Sequence, residues 1–380
     1  KQSSSGEVTF AFFVTHTSMG RAQYYCSLAF GLYDSNGSAI GSARVYIEDD
    51  QEFHTAGQSA ELKISASKLT NGKTYKMKTE GLFERYNTSY KQSWNYEVNM
   101  TYDSQGPIFK QSDNYYTNVR ELIGVEDYGS SIAKIAVKYP GKSDYYIRTF
   151  NGVEPNNNDQ IAIGGEGEGE YVYYAIDKLG NVSDTKSKYY DVTRPVMSCS
   201  VASGASTSSK VSVSASDSGS GISQLYCKYP GSTEFSQVSG TSFSIGNDGE
   251  GQYELYAVDR AGNSGATYRV TYDSKPPKLN ASVSSGGYTN SRLTISADDE
   301  VSGVAKIYCK SPSSSEYTQK AGTLFVIGDG GEGWYEAYAV DNAGNRSSAY
   351  KLYYDITKPT LSAAVASGDY TSDNTVISAA

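Results

Sequence analysis

The segment Glu250-Gly-Gln-Tyr-Glu-Leu-Tyr-Ala-Val-Asp-Arg-Ala-Gly-Asn263 decides the fold, because close copies of it recur at a fixed interval. The copies are Glu168-Gly-Glu-Tyr-Val-Tyr-Tyr-Ala-Ile-Asp-Lys-Leu-Gly-Asn181 and Glu332-Gly-Trp-Tyr-Glu-Ala-Tyr-Ala-Val-Asp-Asn-Ala-Gly-Asn345. Both intervals between the final asparagines are 82 residues (263 − 181 and 345 − 263). Repetition in register indicates successive small domains of one fold, each with its own core.

A second phrase, Asp-x-x-x-Pro, marks the ends of the repeats. Its aspartates are spaced 88, 82 and 82 residues apart (191 − 103, 273 − 191 and 355 − 273), and an insertion around residues 151–160 lengthens the first interval. Proline interrupts a strand and stiffens a short connection, so the phrase predicts domain junctions. The predicted segments are an N-terminal domain, three repeats and the start of a fourth: 1–103, 104–191, 192–273, 274–355 and 356–380.

Alternating hydrophobic residues predict short strands within each repeat. Val211, Val213 and Ala215 fall on one face of a strand with serines on the other, which is the period-two pattern of a half-buried strand. In the recurring segment the same pattern turns Tyr253 inward and Tyr256 outward. No stretch has helical spacing, so we predict an all-β chain. We predict that immunoglobulin-like antiparallel β-sandwiches form an elongated tandem array, preceded by a distinct N-terminal β-sandwich.

The composition excludes several classes of function. The 380 residues carry 42 Asp and Glu against 33 Lys and Arg, a net charge of −9, which argues against nucleic-acid partners. The sequence contains no run of about 18 apolar residues, so we predict no membrane insertion. The only two histidines, His16 and His54, precede the repeats, and a catalytic site would occur once rather than three times in register. We therefore predict a protein that is not an enzyme.

The four cysteines are interpreted as reduced thiols that serve as small hydrophobic residues.

Local turn chemistry accounts for several recurring residues. The aspartate of Asp-x-x-Gly-Asn is expected to accept backbone hydrogen bonds in a tight hairpin, while the glycine supplies a positive φ and the asparagine tolerates the left-handed region. A tyrosine at the start of the penultimate strand is expected to form a tyrosine corner. These structural residues are Tyr171, Gly180, Asn181, Tyr253, Gly262, Asn263, Tyr335, Gly344 and Asn345.

The combination of phrases resembles the tandem bacterial immunoglobulin-like repeats of surface adhesins and cell-wall-associated proteins, over residues 103–380. It consists of Asp-x-x-x-Pro, Asp-x-x-Ser-Gly-Ile/Val (217–222 and 299–304), Gly-Glu-Gly-x-Tyr and Ala-x-Asp-x-x-Gly-Asn. The first repeat departs from the pattern, with Ser130-Ser131-Ile132 in place of Ser-Gly. In the N-terminal domain, residues 69–78 are similar to the corner segment of fibronectin type III domains. The resemblance implies an extracellular or cell-surface location.

The resemblance also implies calcium, because in several adhesin repeats carboxylates from the junction and the adjacent loops bind Ca²⁺. Such an ion needs about six to eight oxygen ligands. The alternative is that each aspartate only caps a turn, since a dense Asp-x-Asp pattern is missing. The candidate ligands come from junctions, loops and hairpins: Asp127, Asp177, Asp191, Asp217, Asp259, Asp273, Asp299, Asp341 and Asp355.

Aromatic residues of the N-terminal domain suggest a ligand surface. Tyr86, Tyr90, Trp94 and Tyr96 cluster in sequence, and exposed aromatic rings with polar neighbours can stack on pyranose rings. The alternative is that they are core residues of a twisted hairpin.

Three functions remain open. The first is a structural and adhesive stalk of a bacterial surface protein, which presents an N-terminal domain to a host or environmental glycan or protein. The second is a glycan-binding accessory region of a larger polysaccharide- or wall-active enzyme. The third is a fibre subunit that self-associates by adding a strand to its neighbour's sheet.

Overall fold

A computed structural model of the chain describes residues 7–14, 24–49, 58–85, 89, 91–111, 114–150, 160–363, 367–368 and 377–379. The chain divides into two compact units, Lys1–Val192 and Thr193–Ala380. Within the described ranges the only helix is one 3-10 turn, Ala66–Lys68, and no helix is long and apolar enough to cross a bilayer.

The described part of the N-terminal domain contains six strands: β1 (Glu7–Val14), β2 (Tyr24–Tyr33), β3 (Ala39–Asp49), β4 (Gln58–Ser65), β5 (Thr74–Arg85) and β6 (Lys91–Thr101). Strands β3-β2-β5-β6 form an antiparallel sheet, and β1 pairs with β4. Leu32, Leu62, Ile64 and Met77 pack in the core of this domain. The alternation of large apolar residues along β4 and β5 places this set on the buried faces.

Within the described residues, each of the three repeats has eight strands. The first repeat has β7 (Ile108–Lys110), β8 (Tyr116–Thr117), β9 (Glu121–Glu126), β10 (Ile132–Lys138), β11 (Tyr146–Thr149), β12 (Ile161–Ile163), β13 (Gly169–Asp177) and β14 (Lys186–Tyr190). The second has β15 (Val196–Ser198), β16 (Ser206–Thr207), β17 (Val211–Ser216), β18 (Ile222–Lys228), β19 (Ser236–Val238), β20 (Ser242–Ile245), β21 (Gly251–Asp259) and β22 (Tyr268–Tyr272). The third has β23 (Lys278–Asn280), β24 (Gly287–Thr289), β25 (Leu293–Asp298), β26 (Val304–Lys310), β27 (Thr318–Lys320), β28 (Leu324–Ile327), β29 (Gly333–Asp341) and β30 (Tyr350–Tyr354).

The strand order is the same in all three repeats. In the third repeat a five-stranded sheet, β24-β30-β29-β26-β27, is accompanied by a three-stranded sheet, β23-β25-β28. The pairing is antiparallel except at one edge, where β24 runs parallel to β30, and the other repeats share this exception. The exception arises because the first strand is divided. In the third repeat the first half, β23, pairs with β25 in the small sheet. The second half, β24, pairs with β30, the last strand, in the large sheet. This order is immunoglobulin-like.

Each repeat has a hydrophobic core of its own. Ile123, Ile163 and Tyr171 belong to the core of the first repeat, whereas Ile295, Tyr335 and Leu352 belong to that of the third. Residues of β21 alternate between buried and half-buried positions, with Tyr253 inside and Tyr256 outside, as the sequence predicts. The predicted fold class, an all-β chain of tandem sandwiches, is therefore confirmed for the described residues. Two further strands, β31 (Leu361–Ala363) and β32 (Ile377–Ala379), pair after the third repeat.

Candidate functional site

Three aspartates from different segments meet at one end of the third repeat. Asp273 precedes the first strand of the repeat, Asp299 lies in the loop after β25, and Asp341 ends β29. One carboxylate oxygen from each lies within 4.8 Å of the others. Asp273 and Asp341 are buried, and Asp299 is half-buried. This set is called the third-repeat triad below.

Backbone amides fix the loop aspartate of this triad. Oδ1 of Asp299 accepts hydrogen bonds from the N–H groups of Val301, Ser302 and Gly303 at 3.3, 3.0 and 2.7 Å. The loop can close around the carboxylate because Gly303 has a φ of +75°, a conformation that glycine adopts without steric cost. The Ser302 N–H also donates to Oδ2 of Asp273 at 3.1 Å, which joins the loop to the junction.

The hairpin asparagine ties the third member to the junction. Asn345 donates its backbone N–H and its side-chain Nδ2 to the two carboxylate oxygens of Asp341, both at 2.8 Å. The same Nδ2 donates to the carbonyl oxygen of Asp273 at 2.8 Å and to that of Lys275 at 3.3 Å. The tolerance of asparagine for the left-handed region is not used here, because this residue does not have a positive φ. Asparagine is needed there because its amide group bridges two segments.

The left-handed conformation occurs instead at glycines and at one serine. Gly180, Gly262 and Gly344 have φ values of 93°, 94° and 93°. Among the described residues other than glycine, only Ser131 has a positive φ, of 76°. This serine occupies the position of Gly303 in the first repeat, so the departure from the Ser-Gly pattern noted in the sequence coincides with a strained backbone.

The first unit contains an equivalent arrangement, the first-repeat triad of Asp103, Asp127 and Asp177. One carboxylate oxygen from each again lies within 4.8 Å of the others. The Ser130 N–H donates to Oδ2 of Asp103 at 2.7 Å, and Asn181 Nδ2 donates to Oδ2 of Asp177 at 2.6 Å. The same three kinds of segment therefore build both triads.

Some buried oxygens of these loops have no hydrogen-bond partner within the described part of the chain. They are the hydroxyl oxygens of Ser130 and Ser302, which occupy matching positions beside the two triads, and Oδ1 of Asp217. A buried polar atom without a partner costs about 1–3 kcal/mol, so such atoms call for a ligand. An oxygen atom that has no hydrogen-bond donor can be satisfied by a cation.

The second unit contains two members of the corresponding set in the second repeat. Asp217 and Asp259 approach within 4.8 Å, and Asp217 Oδ2 accepts from the N–H groups of Gly219 and Gly221 at 2.9 and 2.8 Å. Asp191, which holds the junction position of this repeat in sequence, is buried and belongs to the first unit. Asp355 is exposed, accepts the Thr357 N–H at 2.9 Å, and belongs to none of the acidic groups found among the described residues.

The chemistry of the triads suits a hard divalent cation. Two unit charges at 4.8 Å repel by about 3 kcal/mol at an effective dielectric constant of about 20. A cation between the three carboxylates would reverse the sign of that energy. The gathered donors are carboxylate oxygens, which favour Ca²⁺ over metals that prefer nitrogen or sulfur. Three carboxylates supply fewer ligands than calcium takes, so further oxygen atoms, including water, would complete the shell.

Sequence reasoning missed part of this set. Asp103 was not among the predicted ligands, although it begins the same Asp-x-x-x-Pro phrase as the other junction aspartates. That phrase was the available signal. Ser130 and Ser302 were also missed, because a buried hydroxyl without a partner can be recognised only in three dimensions.

The tyrosines at the start of the penultimate strand close a loop rather than contribute to a site. Tyr171, Tyr253 and Tyr335 are buried, and their hydroxyls donate to the carbonyl oxygen four residues earlier at 2.8, 2.7 and 2.7 Å. Burial raises the pKa of Tyr171 and of Tyr253 above the ordinary value.

The aromatic candidates of the N-terminal domain are only partly described. Tyr86 and Tyr90 lie outside the described residues. For Trp94 the structure describes the backbone, which belongs to β6. Tyr96 is 65% exposed on the same strand. The glycan surface at these residues stays a prediction.

Comparison with known proteins yields likenesses of fold. No known protein family matches the chain, and no curated protein matches it. Among solved structures, the fibronectin(III)-like modules of Clostridium thermocellum CbhA are similar at 16% identity, covering 42% of this chain and 93% of that one, with a TM-score of 0.23. The N-terminal eight Ig domains of the Down Syndrome Cell Adhesion Molecule share 10% identity over 91% of this chain and 57% of that one, with a TM-score of 0.26. A three-Ig segment of titin shares 13% identity, covering 66% of this chain and 98% of that one, with a TM-score of 0.28. The fold assignment rests on the strand order described above.

Proposed function

We propose that this chain is a non-enzymatic structural and adhesive segment of a bacterial cell-surface protein, exposed outside the cell, and that Ca²⁺ fixes its domain junctions. The observation that carries the proposal is the third-repeat triad, in which an aspartate of the junction meets two aspartates of the domain that follows. A cation held by all three would couple the position of the junction to the fold of that domain. The resemblance to bacterial immunoglobulin-like repeats supports the location at the cell surface.

The proposal explains why the same aspartates recur. If each aspartate only capped a turn, its carboxylate would need only local N–H groups. The three carboxylates could then lie far apart. The third-repeat triad instead gathers carboxylates from segments 26 to 68 residues apart in sequence (299 − 273 and 341 − 273). Such an arrangement is unfavourable without a counter-charge, because the three negative charges repel one another.

Thermal unfolding of the full chain with calcium and with a chelator tests the calcium proposal. At a free Ca²⁺ concentration 100 times the dissociation constant, each occupied site stabilises its domain by about 2.7 kcal/mol. We expect Asp299→Asn to remove the calcium-dependent shift of the third repeat. Asp298→Asn is the matched control, because Asp298 is the adjacent, exposed carboxylate outside the triad. Identical melting with and without calcium, or equal effects of the two variants, would refute calcium binding.

The structural role has its own test. The short junctions predict domains joined end to end, and this arrangement stays a prediction. Small-angle scattering of the full chain in calcium should give a maximum dimension well above that of a compact 380-residue particle. A profile typical of one compact globule would contradict the stalk.

A further inference from the structure

Three aromatic side chains form a row across the large sheet of the third repeat. Tyr288 on β24 pairs with Tyr353 on β30, and Tyr353 pairs with Trp334 on β29, so the three residues lie side by side across three neighbouring strands. Their ring centroids are 5.3 to 6.0 Å apart. Tyr288 is 70% exposed and Trp334 is 44% exposed. The row is therefore an aromatic surface open to solvent.

The second repeat shows that the fold does not require this row. Its large sheet has the same strand order, and the three matching positions carry Ser206, Thr271 and Gln252. These residues are small or polar, and the second repeat still forms the same sheet. Cross-strand aromatic pairs add only about 0.2–1 kcal/mol each to a sheet. An exposed aromatic surface that stability does not demand points to binding.

Polar groups that are already paired flank the aromatic row. Lys351 and Glu336 lie two residues from Tyr353 and Trp334 along their strands, which places them on the same outward face. Lys351 Nζ is 2.9 Å from Glu336 Oε1, and Glu336 Oε2 accepts a hydrogen bond from the Tyr317 hydroxyl at 2.6 Å. Glu336 is also the cross-strand neighbour of Lys310 on β26, so this face offers a ligand both hydrogen-bond donors and acceptors.

We propose that the row of Tyr288, Tyr353 and Trp334 binds a pyranose glycan. The apolar C–H face of a pyranose ring can stack on the exposed indole and phenol rings, while its hydroxyls reach the paired lysine and glutamate. The inference gives a ligand class to the proposed adhesive role and does not depend on calcium.

The first repeat carries only part of the row. Tyr116 pairs with Tyr189, but the third position is Glu170, whose carboxylate accepts the Tyr115 hydroxyl at 2.7 Å. A carboxylate cannot stack on a sugar as an indole can. Among the described residues of the three repeats, we therefore assign this site to the third repeat.

Tryptophan fluorescence reads this site directly, because the chain has only two tryptophans, Trp94 and Trp334. In a Trp94→Phe variant of the full chain, the emission reports Trp334 alone. The probes are cellohexaose, chitohexaose and maltohexaose, titrated in calcium and again in chelator. We expect a saturable change in emission with at least one probe in both buffers, and Tyr288→Ser should weaken the affinity roughly three- to tenfold, the range of one aromatic contact.

Calorimetry with the otherwise unchanged chain completes the test. Trp334→Gln, which introduces the residue of the second repeat, should abolish binding while the melting temperature stays within a few degrees. Leu324→Ser is the control, since Leu324 is 56% exposed on the small sheet. No saturable binding of any of the three sugars would overturn the proposal, and so would full binding by Trp334→Gln or an equal loss in Leu324→Ser. Loss of binding only in chelator would overturn its independence from calcium.

Discussion

The first repeat buries a lysine where the other repeats bury aliphatic side chains. Lys188 is 0% exposed, and the matching positions are Val270 and Leu352 (188 + 82 and 270 + 82), both buried. Lys188 Nζ lies 2.9 Å from Glu121 Oε2, whose side chain is 27% exposed. Replacing Glu121 by glutamine keeps the shape and an acceptor oxygen but removes the negative charge beside the buried ammonium group.

The size of the effect follows from this burial. Removing one partner of a buried ion pair costs about 3–5 kcal/mol, and the partial exposure of Glu121 places the expected loss near the lower end, at about 3 kcal/mol. Lys188→Leu should be neutral or stabilising when combined with Glu121→Gln, because no buried charge then remains. The double variant should therefore be more stable than Glu121→Gln alone.

Hydrogen exchange measured by mass spectrometry locates the effect. A loss of about 3 kcal/mol lowers the protection of peptides from β13 and β14 roughly a hundredfold. Peptides from β21 and β22 of the second repeat serve as the internal control and should not change. Unaltered protection in Glu121→Gln, or a double variant as unstable as Glu121→Gln, would refute the view that the lysine depends on its counter-charge.

Three further predictions concern the repeats. Tyr253→Phe should cost about 1–2 kcal/mol, because the buried hydroxyl donates to the Gly249 carbonyl oxygen at 2.7 Å, and an unchanged urea midpoint would contradict this role. Gly303→Ala should cost about 1 kcal/mol, because its φ of +75° is unfavourable for alanine, and unaltered melting of the third repeat would contradict the strain argument. Burial raises the pKa of Cys227 to about 12, so this thiol should resist iodoacetamide at pH 8 in the folded chain and react in urea; rapid labelling of the native chain would show that the core opens.

The repeated elements were predictable because they are local in sequence. The alternation at Val211 and Val213 indicates a strand, and the glycine of Asp-x-x-Gly-Asn indicates a turn with a positive φ, which Gly262 adopts. The sequence identifies Asn263 as a turn residue but does not show what its side chain contacts. The role of the asparagine depends on a junction about 70 residues away, as the bond from Asn345 to Asp273 shows.

By itself the sequence determined the all-β class, the interval of the repeats and the types of residue available for a metal. Periodicity and turn chemistry act over a few residues, so a linear reading contains them. Only the tertiary structure decided which aspartates meet, since Asp273, Asp299 and Asp341 come together through loops at one end of a sandwich. The parallel pairing of β24 with β30 likewise brought Tyr288 beside Tyr353 and Trp334. Strand order sets such neighbours, and it follows from the packing of two sheets around a core rather than from any local pattern.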